Sequence, residues 1–209
     1  MDTLKLTKKD FKDSNSYYKV YCGKTDVSGY EGHIEIEGNL GWVHFEGRLQ
    51  ASGNIIAGAV TGIEAGEGIE AGEGIKAGWG IKAGEGIKAG WGIKAGSGIK
   101  AGWGIEAGEG IEAGKGIEAG KGIKAGLSIT CKLSIQFSVK IFAGVCSWKN
   151  ITDDEKTITC GKLEPRDMES KVEYGILKEL GLPNENRPTL SGKEVKVIIN
   201  DVTYTAIIK

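Results

Sequence analysis

Over residues 63–126 the chain repeats one order of apolar, polar and glycine positions: isoleucine, Glu or Lys, alanine, glycine, a variable residue, glycine. The unit runs eleven times without an insertion, with isoleucine every six residues from Ile63 to Ile123. A six-residue unit cannot bury its own apolar face and must stack on its neighbours, the mark of a solenoid. In a strand, alternate side chains face the same way, so Ile and Ala point inward and the residue between them points to solvent. The Gly-x-Gly that follows is predicted to make the bend, with glycine supplying a left-handed backbone. A helix is excluded, because two glycines in every six residues would each cost about 1 kcal/mol. A polyproline-type glycine helix needs glycine every third residue, whereas here the intervals alternate between two and four.

The pattern weakens on both sides of the array. Residues 1–33 form a lead-in or cap in which Leu4 and Leu6 alternate like a short strand, Thr7 caps a helical turn over 8–12, and Tyr17, Tyr18, Val20 and Cys22 follow. From Ile34 a two-residue alternation runs through Ile34/Ile36, Leu40/Trp42, Val43/Phe45, Leu49/Ala51 and Ile55/Ala57, before Ala59-Val60-Thr61-Gly62 shifts the phase by two. After Gly126 the beat persists in Ile129, Ile135 and Ile141, with Cys131, Phe137 and Ala143 at the alanine place, so the solenoid spans 34–146. Its last corners carry Leu127, Leu133, Val139 and Val145, apolar as expected where another domain covers them.

Residues 147–209 read as that domain, a small α+β cap. It comprises a strand over 156–160, a helix capped by Asp167 and closed by Gly181 and Pro183, and a hairpin of 194–199 with 202–208 around Asn200-Asp201. The helix rests on Val172, Ile176, Leu177 and Leu180 at helical spacing.

A hexad closes into either a two-sided coil of 12 residues or a three-sided coil of 18. Two sides would stack Trp79, Trp91 and Trp103 in one column about 4.8 Å apart, beside a column of Lys76, Lys88 and Lys100. Stacked like charges oppose that closure. Three sides place Glu70 over Lys88, Lys88 over Glu106 and Glu106 over Lys124, with Lys76 over Lys94 and Lys82 over Lys100 as exceptions. The expected fold is therefore mainly β, a three-sided β-solenoid with 18 residues per coil and a small α+β C-terminal domain.

Charge and composition narrow the function. The chain has 27 basic and 28 acidic residues, so no bulk field draws it to nucleic acid or an anionic membrane. Four scattered cysteines and two histidines, without a C-x-x-C, support neither a zinc site nor a disulfide framework, and no motif implies a cofactor. The N-terminus has no apolar signal region and no run of eighteen apolar residues occurs, which points to the cytoplasm. Asn150-Ile151-Thr152 matches a glycosylation acceptor without a secretory signal beside it. Gly-x-Gly recurs, yet a phosphate cradle needs a following helix N-terminus, and corner glycines explain it better.

The unit looks superficially like the hexapeptide repeat of left-handed β-helix acyltransferases, but it differs at the second and fifth places. Those enzymes use a histidine base, and His33 and His44 both precede the regular array. The array with its weaker leading turns, Gly38-Asn39-Leu40 and Ala51-Ser52-Gly53-Asn54-Ile55, more closely resembles the bactofilin type of polymer-forming β-solenoid over residues 34–145. That resemblance implies a non-catalytic protein assembling end to end. Ice-binding solenoids usually present threonine-rich faces, whereas the outer places here are Glu and Lys.

Chemistry is left to the second and fifth places of the hexad. Trp79, Trp91 and Trp103 occupy corners otherwise filled by Glu, Ser or Lys, and exposed tryptophan is enriched in binding hot spots. Lys76, Lys82, Lys88, Lys94 and Lys100 fall in the same stretch, between sections rich in glutamate. The reading is a non-enzymatic protein that binds a protein partner through this zone, in a concrete version a phage or mobile-element inhibitor of a bacterial defence complex. Nucleic acid is the lesser alternative, no membrane is implied, and self-association would use the solenoid ends or the C-terminal domain.

Overall fold

The structure, a computed structural model, describes residues 1–14, 18–182, 194–199 and 202–207. Tyr17, Pro183, Asn200, Asp201 and Ile208, named above, lie outside the described residues. Three parallel sheets form the sides of one coil. Two have nine strands and the third has seven. In the array the chain visits them in turn, as in Ile75–Ala77 on the first face, Ile81–Ala83 on the second and Ile87–Ala89 on the third. Ile93 then lies over Ile75, which fixes the 18-residue coil with three sides.

The inward places behave as the alternation requires. Every Ile and Ala of the array is at most 3% exposed, so isoleucine stacks on isoleucine and alanine on alanine along the axis. Burying an isoleucine side chain contributes about 1.5–3 kcal/mol before entropy is counted, and this column is the main source of stability. The beat continues through Ile129, Ile135 and Ile141, with Cys131, Phe137 and Ala143 buried beside them. Burial pushes the Cys131 thiol up to about 12 and the Cys160 thiol up to about 11, which keeps both protonated and unreactive.

The glycines act differently from the expectation. Among the array glycines none has a left-handed φ; among the described glycines positive values occur only at Gly32, Gly41, Gly144, Gly175 and Gly181. At the fourth place of each hexad the coils approach too closely for a side chain, and a Cβ on Gly84 would stand 2.0 Å from the carbonyl oxygen of Gly66. That approach lets each fourth-place N–H from Gly72 onward donate to an alanine carbonyl one coil back, as Gly84 does to Ala65 at 3.0 Å, while Gly66 donates to the Phe45 carbonyl. Close stacking, not backbone handedness, is what glycine permits here.

The lead-in is the first part of the solenoid. Thr3–Leu6 pairs with His33–Ile36 on the first face, burying Leu6. The Thr7 turn is a short 3-10 helix, Lys8–Asp10, in which the Thr7 N–H donates to the Asp10 carboxylate at 2.7 Å. Phe11–Asp13 and Tyr18–Tyr21 are antiparallel at the head of the second face. There Phe11, Tyr21 and Phe45 pack with ring centroids 5.3–5.9 Å apart and close the N-terminal end of the core.

The phase shift at residues 59–62 lengthens one coil. Ile75 pairs with Ile55 and Ile81 with Ile63, so the register is 20 residues across the first step and 18 across the second.

The expected α+β C-terminal domain is corrected beyond the strand at Thr157–Cys160. Residues 167–180 form no helix: Lys171–Tyr174 and Ile176–Glu179 continue the third and first sheets, and Lys162–Pro165 continues the second. Val172 and Leu177 are inward residues of two successive sides, separated by a corner at Gly175 with φ +124°. Their spacing fits a helix as well as a side-corner-side unit. The open edges of three parallel sheets select the second, because strands satisfy backbone groups that a helix would leave unpaired. Asp167 makes a turn in which the Ser170 N–H donates to its carbonyl at 3.0 Å. Leu133 and Val139, expected to lie under a covering domain, are 38% and 48% exposed. The hairpin is present as Glu194–Ile199 antiparallel to Val202–Ile207. No helix among the described residues is long and apolar enough to cross a membrane.

Candidate functional site

The three-sided coil disperses the residues singled out from the sequence. Backbone ladders put Trp79 above Thr61, Trp91 above Glu73 and Trp103 above Glu85, on three different corners. The lysines divide likewise: Lys76 and Lys94 on the first face, Lys82 and Lys100 on the second, Lys88 on the third. They encircle the rod as a belt and do not converge on one patch.

Four of the five lysines are engaged across coils. Lys82 meets Glu64 at 2.6 Å, Lys94 meets Glu112 at 2.7 Å, Lys100 meets Glu118 at 2.9 Å and Lys88 meets Glu70 at 3.8 Å. Each member of a stacked lysine pair turns toward the acid beyond it, except Lys76, which has only Ile56 and Lys94 as register neighbours. Among the described residues Lys76 makes no ion pair.

These pairs fasten coils, and one of them reports it through pH. Burial alone pushes the Glu118 carboxyl up, but hydrogen bonds and charge from Lys100 and Arg166 outweigh that and hold it below the ordinary range. Its stabilising contribution is complete above pH 4.5, the ordinary value, and is lost as pH falls through the depressed folded value. Thermal melts of Glu118→Gln should therefore show a deficit of roughly 0.5–1 kcal/mol at pH 7 that closes in acid. A deficit unchanged down to pH 2 would contradict this assignment.

Of the three array tryptophans, Trp79 alone acquires an aromatic partner among the described residues. Its indole stacks on that of Trp42, centroids 5.7 Å apart and planes inclined by 29°. The alternation Leu40/Trp42 suggested that Trp42 faces inward. It faces outward, since its neighbours Val43 and Phe45 are the buried residues of Gly41–Phe45. That signal was present in the sequence, because two alternations one residue out of step cannot both face the core. The Trp42 ring lies across the coils above it, where a Cβ on Gly62 or Gly80 would come within 2.8 Å. Tyr18, in register with Trp42 and 41% exposed, extends the aromatic surface. Trp103 instead sits under the Lys121 ammonium, 4.9 Å from its centroid, and Trp91 has no aromatic or cationic neighbour among the described residues.

Together Tyr18, Trp42, Trp79 and Leu40 line a groove of about 880 Å³ on the second face. Its charged rim is self-neutralising: Glu64 pairs with Lys82, and Asp13 with Lys19, which holds the Asp13 carboxyl below its ordinary range. The backbone beside it is irregular. Asn39, Gly41 and Val60 have φ of +62°, +72° and +56°, and for β-branched Val60 this is a strained conformation. The buried Thr61 hydroxyl holds the strained corner, donating to the Glu37 carbonyl at 2.9 Å and accepting from the Leu40 N–H at 3.1 Å. Strain that the surroundings enforce collects at functional sites.

The histidines have other contacts. His33 Nδ1 accepts the Asn54 N–H at 2.9 Å, and the His44 ring packs on Tyr18 with centroids 5.1 Å apart. Among the described residues no cluster of three or more His, Cys, Asp or Glu could hold a metal.

Fold and site define a three-sided β-solenoid with an aromatic groove at an irregular corner. No protein family matches this chain, and no curated protein and no solved structure matches it.

Proposed function

We propose that this is a non-enzymatic interaction protein, a rigid rod that offers its second face to a protein partner. The observation that carries the reading is the stacked pair of the half-buried Trp42 and the exposed Trp79 beside the strained corner. Exposed indoles on a preformed surface bury much apolar area at little entropic cost, which makes them common anchors of interfaces. The self-paired rim favours an apolar partner segment over a polyanion, since a phosphate backbone needs free cations. The more particular expectation, an inhibitor of a bacterial defence complex, rests on the identity of the protein captured.

The test is affinity capture from bacterial lysate with the full chain, followed by binding measurements on the purified partner. Trp42→Ala with Trp79→Ala should weaken binding at least about 30-fold, while Trp91→Ala with Trp103→Ala should change it by less than about threefold. The opposite order would transfer the site to the belt and refute the groove. Affinity that falls steeply with salt and tracks co-purifying nucleic acid would favour the lesser alternative.

Assembly of the bactofilin type is the second reading, favoured by the apolar residues exposed near the last strands. Head-to-tail growth needs two open ends, however, and the Phe11–Tyr21–Phe45 cluster closes one of them. Filaments in the electron microscope would establish that reading.

A further inference from the structure

The two ends of the solenoid core are finished unequally. At the N-terminal end Leu6 and Phe11 are buried at 2% and 7% exposure. Toward the other end Ile135, Ile141 and Ile158 are still fully buried, yet the layer stacked on them, Leu163, Val172 and Leu177, is not. Leu177 occupies the inward place above Ile158 and is 41% exposed. Lys162–Pro165, Lys171–Tyr174 and Ile176–Glu179 end their sheets, with no further strand paired to them among the described residues.

The same chain contains a piece that needs a surface. Among the described residues Glu194–Ile199 and Val202–Ile207 pair only with each other, and a two-stranded ribbon alone is marginal in water. Its register sets Val195 opposite Ala206, Val197 opposite Tyr204 and Ile199 opposite Val202. Six apolar positions therefore share one face, while Glu194, Lys196, Thr203 and Thr205 share the other with Ile198 and Ile207. Eleven residues separate Leu182 from Glu194, against six for a whole side and corner of the array, so the connection is long enough to cross the end of the coil.

We propose that this hairpin lays its apolar face over Leu163, Val172 and Leu177 and closes the C-terminal end of the core within the same molecule. Tethering through a short connection favours that contact over one with a second copy by raising its effective concentration. The hairpin then acts as the terminal cap that a stacked-repeat protein requires. This inference stands independently of the aromatic groove.

Amide hydrogen exchange on the full chain, resolved by segment and combined with sedimentation, tests it. The hairpin amides should be protected in the unmodified chain, and Leu177→Lys should make them exchange at least roughly tenfold faster. Val197→Lys should do the same reciprocally to Ile176–Glu179 while leaving the array unchanged, so the test survives if Leu177→Lys disturbs the last coil. Ile198→Lys, on the opposite face of the ribbon, should leave protection intact. An unprotected hairpin, or protection indifferent to both Leu177→Lys and Val197→Lys, overturns the proposal. Protection lost on dilution together with conversion from dimer to monomer assigns the surface to a second copy and also overturns it.

Discussion

Gly90→Ala should destabilise the solenoid by about 3 kcal/mol or more, while Gly92→Ala on the same corner should cost less than about 1 kcal/mol. The two glycines flank Trp91, and neither has a left-handed φ. Their surroundings differ. A Cβ on Gly90 would lie 2.0 Å from the Gly72 carbonyl oxygen, whereas one on Gly92 would lie 3.3 Å from that of Gly110. Relieving the first contact means parting two coils, which breaks the bonds from the Gly90 N–H to Ala71 and the Trp91 N–H to Glu73, both 3.0 Å. The second needs a shift of a few tenths of an ångström. Reduced freedom of the unfolded chain favours both alanines by a similar 0.4–1 kcal/mol or so, and it cancels in the comparison. Urea unfolding followed by circular dichroism would measure the difference. Equal costs would mean that glycine serves the bend and not the stacking distance.

A loss of about 2–4 kcal/mol should follow Thr61→Val, although the substitution preserves shape. The Thr61 hydroxyl satisfies a carbonyl and an N–H at once, at Glu37 and Leu40, in a site without solvent contact. Valine leaves both groups desolvated and unpaired. Thr61→Ser keeps both bonds and should cost only the transfer of one methyl, about 1 kcal/mol. Because this corner carries Gly41 and Val60 on either side of a 3.1 Å backbone bond, the valine variant should also change tryptophan fluorescence as the Trp42–Trp79 pair moves. Thermal melts that rank valine equal to serine would show that the hydroxyl does not hold the corner.

Much of the rod could be read directly along the chain. The six-residue beat fixed Ile and Ala as core, and like-charge repulsion favoured three sides over two, in line with the pairing of Lys88 with Glu70 and Glu106, although Lys76 stacks on Lys94 and Lys82 on Lys100. The proposed binding zone was legible only in part. Exposure of Trp79, Trp91 and Trp103 follows from their corner place, but three sides put them on three corners. Trp42, 37 positions before Trp79, becomes its neighbour because the coil returns with two extra residues.

Alternation and period are local properties, so the sequence by itself determined which side chains of the array enter the core, while the closure at three sides was fixed by the 18-residue register. Lateral neighbours and ends belong to the tertiary structure. It decided that 171–179 extend as strands, because the edges of the sheets beneath them offer hydrogen bonds that a helix could not use. It also decided that the fourth-place glycines serve close approach and that one tryptophan of three joins a groove. Both depend on what the preceding coil presents across about 5 Å of stacking, which no short stretch of chain contains.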